Sequence, residues 1–188
     1  MKKIVAFLIL LVSLLFTAFV IFPEGEVYTS VSGTAKFTSK APIETIIAES
    51  KKLSGALDAE KRTFAFTIPI SSFEGFESPL QKEHFNENYM ESDKIPKAIY
   101  KGKIIEEVNI GLPGTYIVRV KGMMQIHNVE KEIIIKSKII TAKSGQIKIE
   151  SSFNILLKDF NINIPALVSP KIAQEILVEV NIAMNSKK

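Results

Sequence analysis

Two histidines, His84 and His127, are all the imidazoles in this chain of 188 residues, and it has no cysteine. That inventory excludes disulfides, thiolate nucleophiles, cysteine-ligated zinc, a lipid-modified cysteine and any site built on several histidines. A carboxylate metal site would need partners that no spacing here announces, so neither metal nor cofactor is expected. The acidic residues set among aromatics are Glu74, before Gly75 and Phe76, and Asp159, before Phe160. A loop carboxylate of this kind is more often solvated or capping than catalytic. With no nucleophile near a base, no paired carboxylates in an apolar context and no glycine loop to cradle a phosphate, the chain reads as a non-enzyme.

What remains is the chemistry of apolar contact. Phe37, Phe64, Phe66, Phe85, Tyr89, Tyr100, Tyr116, Met124 and Phe153 supply the wide apolar surface that a lipid tail requires. The same residues would serve equally well as plain core, and a register error of one residue would turn any of them outward. His84 stands beside Phe85, where it either meets the polar end of a ligand or is a structural imidazole hydrogen-bonded to a nearby loop; the second is the commoner fate. His127 falls in a tight turn and reads as a turn residue rather than a headgroup contact or general base. Arg119 is a further candidate for the mouth of a binding cavity.

The elements that must position these residues are mostly strands. Residues 26–38 alternate apolar and polar side chains with period two, as a half-buried strand does. A second strand spans 43–51 and continues through 53–57 past a bend at Gly55. Residues 63–70 place Phe64, Phe66, Ile68 and Ile70 on one face. One helix is expected from Pro79 to about Glu91: Ser78 caps it, Pro79 suits its first turn, and Gln81 stands at the capping-box position. Strands then follow over 98–108, 115–126, 132–142, 146–156 and 175–184. Short turns at Leu112-Pro113-Gly114, His127-Asn128-Val129-Glu130 and Lys143-Ser144-Gly145 suit antiparallel neighbours. About eight meandering strands with one inserted helix predict an all-β protein, an antiparallel eight-stranded barrel, because closure removes exposed edges. A barrel of eight strands has an interior that is either just filled or able to hold one small ligand.

Composition agrees. At 46% hydrophobic and 23% charged residues the chain has a globular balance, and its length suits one domain. The net charge is +4, of which Lys2 and Lys3 supply two, leaving +2 on the remainder with the signs interspersed. Nucleic acid is not an expected partner, since phosphate tracking needs a clustered basic stripe. Lys2 and Lys3 precede an almost wholly apolar run from Ile4 to Phe22, which predicts an N-terminal hydrophobic helix, either a cleaved signal peptide or an uncleaved membrane anchor. The expected division is therefore 1–22 as the targeting segment, the only part touching a membrane, and 23–188 as the barrel. Whether the chain is monomeric or a homodimer stays open.

Three stretches carry a family resemblance. Leu80 to Ser92 with Ile95 to Tyr100, Val120 to Lys131, and Phe153 to Pro165 together resemble the signature segments of the YceI-like family. The resemblance implies a lipocalin-like barrel, exported to the bacterial periplasm or cell envelope, that holds a polyisoprenoid or fatty-acid derivative in its bore. Its ligand walls would be the nine residues named above together with His84. The alternative is a filled, ligand-free structural or stress-related envelope protein acting through protein contacts. Two departures stand out: the segment Tyr28–Phe37 lacks the acidic residue and His-Ser pair common in the family's opening strand, and Asn128 stands where the family often has glycine.

Overall fold

The computed structural model describes residues 26–187. Eight strands run β1 (Val27–Lys40), β2 (Thr45–Asp58), β3 (Thr63–Pro69), β4 (Lys97–Ile104), β5 (Gly114–Ile126), β6 (Val129–Thr141), β7 (Ile147–Leu156) and β8 (Glu175–Ser186). Each pairs antiparallel with the next, and β8 returns to pair with β1, so the sheet is a closed barrel in sequence order. Closure gives every strand a neighbour on each side.

Alternation sets the faces. Along β5, Val118, Val120, Met124 and Ile126 are buried and Ile117, Arg119 and Lys121 are exposed, the period of two that a half-buried strand requires. The His127-Asn128 turn has φ of 50° and 59° at its two residues, and Ile126 pairs with Val129 across it. This is a two-residue hairpin, tighter than the four-residue turn expected, with asparagine at a left-handed position it tolerates well. The second strand continues past Gly55 as one element, and its pairing with β1 shifts register on both sides of Gly33. β4 ends at Ile104, four residues before the predicted end.

The two ends of the barrel differ. At one end lie the start of β1, the β2–β3, β4–β5 and β6–β7 connections and the end of β8. Here Tyr28, Leu57, Ile104, Ile110, Ile139, Ile147 and Met184 are almost wholly inaccessible. Burial of each large aliphatic contributes about 1.5–3 kcal/mol, so stability concentrates at this closed end. At the other end two strand pairs part. β2 and β3 are paired only from Ser54–Thr67 to Asp58–Thr63, and β6 and β7 only from Ser137–Ser151 to Thr141–Ile147. Beyond these forks the wall is completed by other segments: Glu74 makes a two-bond bridge to Glu49, and a 3₁₀ turn (Leu157–Phe160) ties to β6 through the Lys131–Asp159 ion pair. The splayed end is wider than the zipped end.

One wall is pinched instead. Gly102 of β4 pairs with Gly122 of β5 at inward-facing positions. A Cβ added to Gly102 would stand 2.1 Å from the Lys121 carbonyl oxygen, and one added to Gly122 would stand 2.3 Å from that of Lys101. Both obstacles are backbone and cannot swing aside. Gly102→Ala and Gly122→Ala should each lower stability by about 2–3 kcal/mol in urea unfolding, whereas Gly145→Asn, at an open left-handed turn position, should cost well under about 1 kcal/mol. Equal midpoints for all three would contradict a wall held at backbone contact.

Candidate functional site: an apolar cavity open at one end

Between the splayed strands lies a cavity of about 560 Å³. Its floor is the tightly packed closed end, where Leu57, Ile104, Ile139 and Ile182 face it. Above the floor, Phe64 packs on Phe66 and Tyr100 with ring centroids 5.6 and 5.0 Å apart. Gly55 makes room for one of these rings, since a Cβ there would strike the Phe66 ring. The Tyr100 hydroxyl donates to the Val120 carbonyl at 2.9 Å and to the Ile133 carbonyl at 3.3 Å. Burial holds this phenol protonated well above the usual tyrosine range.

Nearer the mouth a second aromatic group encloses the space. Phe37 of β1 lies 5.4 Å from both Phe73 and Phe85, and Phe76 lies 5.1 Å from Phe85. Phe85 is placed by the connection between β3 and β4. There α1 (Pro79–His84) gives way to a π-helical turn (Phe85–Tyr89), so the helical segment is shorter and less regular than the run to Glu91 that was expected. Its start follows expectation: Ser78 Oγ accepts from the Gln81 amide at 3.1 Å. The Gln81 side chain, however, reaches past Ser78 to accept from the Glu77 amide at 2.9 Å, and its Nε2 donates to Glu44 Oε1 at 2.6 Å. The helix is thereby fastened to the β1–β2 connection across the mouth.

The other side of the mouth is fastened by His127. Its Nδ1 lies 3.2 Å from the Phe160 carbonyl oxygen and its Nε2 lies 3.2 Å from Glu91 Oε2. One ring thus ties the β5–β6 turn to both the end of the helical segment and the β7–β8 connection. Lys94, and next His127, hold the Glu91 carboxyl below the usual carboxylate range. The reading of His127 as a turn residue is right about its backbone but missed this tie, which no local sequence pattern announces.

Of the ten residues expected at a ligand wall, Phe37, Phe64, Phe66, His84, Phe85, Tyr89, Tyr100, Met124 and Phe153 line the cavity. Tyr116 does not. It faces inward nearer the closed end, below the cavity, and its hydroxyl donates to the Leu112 carbonyl at 2.9 Å. His84 is exposed at the mouth and its side chain makes no hydrogen bond with any described residue, so it is not the loop-bonded histidine thought commoner. Arg119 lies away from the mouth on the outer face, paired with Glu106 at 2.8 Å. Sequence reading missed Phe73 and Phe76, which follow β3 in an irregular stretch, and the wall residues Ile164, Val168 and Ile172 of the β7–β8 connection. Only the aromatic spacing of Phe73 and Phe76 offered a signal.

The strand hydroxyls inside the cavity are occupied by the protein itself. Ser137 and Ser151 bond to each other at 2.8 Å where their strands part, Thr67 donates to the Ala98 carbonyl, and Ser39 Oγ accepts from the Ala173 amide at 2.9 Å. The lining side chains left without a protein partner among the described residues include His84, Lys171 and the Tyr89 hydroxyl. Among the described residues no group of three or more His, Cys, Asp or Glu side chains could hold a metal.

A closed up-and-down barrel, zipped at one end and hollow and apolar at the other, defines the class of small barrels with room for a single ligand. Within that class the chain belongs to the YceI-like family, whose domain model matches residues 27–184. It is similar in fold to a polyisoprenoid-binding domain from Saccharophagus degradans implicated in plant cell wall breakdown (TM-score 0.75, 13% identity, 87% of this chain and 100% of that one). It is similar also to BcnA of Burkholderia cenocepacia (TM-score 0.67, 14% identity, 80% and 95%) and to the YceI protein of Campylobacter jejuni (TM-score 0.57, 17% identity, 85% and 86%). No curated protein matches the chain.

Two measurements check this geometry. Burial, with a lesser contribution from Glu26, pushes Tyr28 up to about 12, and Tyr100 is raised too. A phenol that ionises later in the folded state adds stability that is complete below about 10 and is lost as pH rises through the folded value. Absorbance titration should therefore show a late-ionising pair that unfolding abolishes, and Tyr100→Phe should remove one member of it. For the tie, His127→Ala should raise amide hydrogen exchange about tenfold in 85–92 and 157–162 while leaving the closed-end strands unchanged; uniform exchange would show that the tie restrains nothing.

Proposed function

We propose that this chain holds one long apolar molecule, an isoprenoid or acyl chain, with its tail against the closed end and its polar end at the rim, and that it carries or stores this molecule in the bacterial envelope. The observation that carries the reading is a hollow, mostly apolar interior in which the strand hydroxyls of Ser39, Thr67, Ser137 and Ser151 are bonded within the protein, which an apolar chain matches. A methylene takes up about the room of a water molecule in its liquid, roughly 30 Å³, so the cavity suits roughly 15 to 20 carbons. At about 0.8 kcal/mol per buried methylene such a tail gains about 12 kcal/mol, enough to offset much of the cost of association without any polar contact. The polyisoprenoid-binding description of the Saccharophagus neighbour points to the same ligand class. The filled-barrel alternative required no cavity, and no observation favours it. An envelope location rests on the apolar run from Ile4 to Phe22, which lies outside the described residues.

The eight strands close on one another within residues 27–186, and the fold covers the whole of the Saccharophagus chain, which supports using the barrel alone. Residues 23–188, purified gently from a bacterial envelope, should carry an apolar adduct of one per chain in native mass spectrometry, identifiable after organic extraction. Phe66→Asp, which sets a charge on the wall, and Met124→Trp, which fills the space, should each weaken uptake of added C15–C20 prenyl alcohol at least tenfold. A clean apo mass with no uptake of prenyl or acyl chains would overturn the reading.

A further inference from the structure

We propose that the rim formed by the β1–β2 and β7–β8 connections docks on an anionic lipid bilayer, so that the apolar ligand passes between membrane and cavity without crossing water. The proposal rests on the ligand reading above and goes beyond it, because it assigns a membrane contact to the barrel itself.

The two connections form one platform. The Ile43 amide donates to the Pro170 carbonyl at 3.0 Å, and the Ala173 amide donates to Ser39 Oγ, which is buried beneath them. From this platform two large aliphatics project into solvent: Leu167 is 91% exposed and Ile43 is 69% exposed. An isolated apolar residue on a surface needs no explanation, but two on a single braced rim beside an apolar cavity are another matter. The platform is continuous with the cavity, since Val168, Lys171 and Ile172 of the same connection line it.

Charge complements the apolar tips. Lys40, Lys158 and Lys171 are exposed around the platform and none is engaged in an ion pair among the described residues. Glu44 and Glu175 keep their charge, being hydrogen-bonded only by the neutral amides of Gln81 and Asn154, so the three lysines of the two connections are only partly offset by these two carboxylates. The helix side of the mouth is acidic, with Glu77, Glu83 and Glu87 exposed, which orients docking toward the platform. Shallow aliphatic insertion flanked by lysines is the chemistry of reversible attachment to anionic lipid. A protein partner is less well matched, since the platform lacks the aromatic and arginine anchors that dominate such interfaces.

The test is flotation of residues 23–188 with phosphatidylcholine vesicles containing about one-third phosphatidylglycerol. The wild-type barrel should float; Leu167→Asp and Ile43→Asp should each weaken this at least tenfold, and Lys40→Glu with Lys158→Glu should weaken it roughly fivefold per lysine. Val31→Asp, at an equally exposed position on the outer wall of β1, should float like wild type. Native mass spectrometry of Leu167→Asp should still show uptake of prenyl alcohol from solution, which separates this proposal from the cavity reading: a clean apo mass for both proteins would sink the cavity and leave the docking result standing. A barrel that stays in solution, or a loss shared equally by Val31→Asp, would overturn the proposal. So would light scattering that shows a dimer dissociated by Leu167→Asp without vesicle binding, which would give the platform to a second copy.

Discussion

Everything in this molecule depends on the ladder that closes β1 onto β8. Once that ladder forms, every strand has two neighbours and most of the wall's backbone polar groups are paired within the wall, without help from the interior. An open sheet of the same strands would have to fold over a filled core. A closed one needs a packed core at one end only, and the closed end supplies it through Tyr28, Leu57, Ile104, Ile139 and Ile147. The other end is thereby free to stay hollow.

Hollowness then follows from where pairing stops. The β2–β3 and β6–β7 ladders are short and lie toward the closed end, so the wall widens beyond them. The gaps are closed by segments that reach across from other connections: Glu74 on Glu49, Asp159 on Lys131, Gln81 on Glu44 and His127 on both Glu91 and Phe160. These polar ties hold the rim at its periphery, whereas the cavity interior presents apolar rings and satisfied hydroxyls. Rim and interior thus have different chemistry, which is what a molecule with a polar end and an apolar tail requires.

Much of this was legible in the residues. The alternation of β3 placed Phe64 and Phe66 together on one face, and closure followed from the number of meandering strands. The signature segments, read as a resemblance, pointed to the family that the comparison with its domain model established. What escaped had physical causes. Tyr116 alternates inward like Phe64, and periodicity reports a face but not a height along the barrel, so it was grouped with the cavity although it sits nearer the closed end. The helical segment ends at Tyr89, within two residues of the expected end, but its π-helical second half was not legible because a π turn is a change of hydrogen-bond register that side-chain types do not announce. The β7–β8 wall residues were missed because irregular backbone carries no period at all. His84 and His127 exchanged roles for a similar reason: the free imidazole lies on a helix and the tied one in a turn, and only tertiary contact decides between them.

The most direct measurement is a crystal structure of the barrel grown with a C20 prenyl alcohol. The account predicts continuous density for one chain running from the Phe37–Phe85 pair down past Tyr100 to the floor at Ile182, with the hydroxyl near His84 and Lys171. Aromatic side chains collapsed into the hollow, with the alcohol absent or bound only to the outer surface, would contradict it.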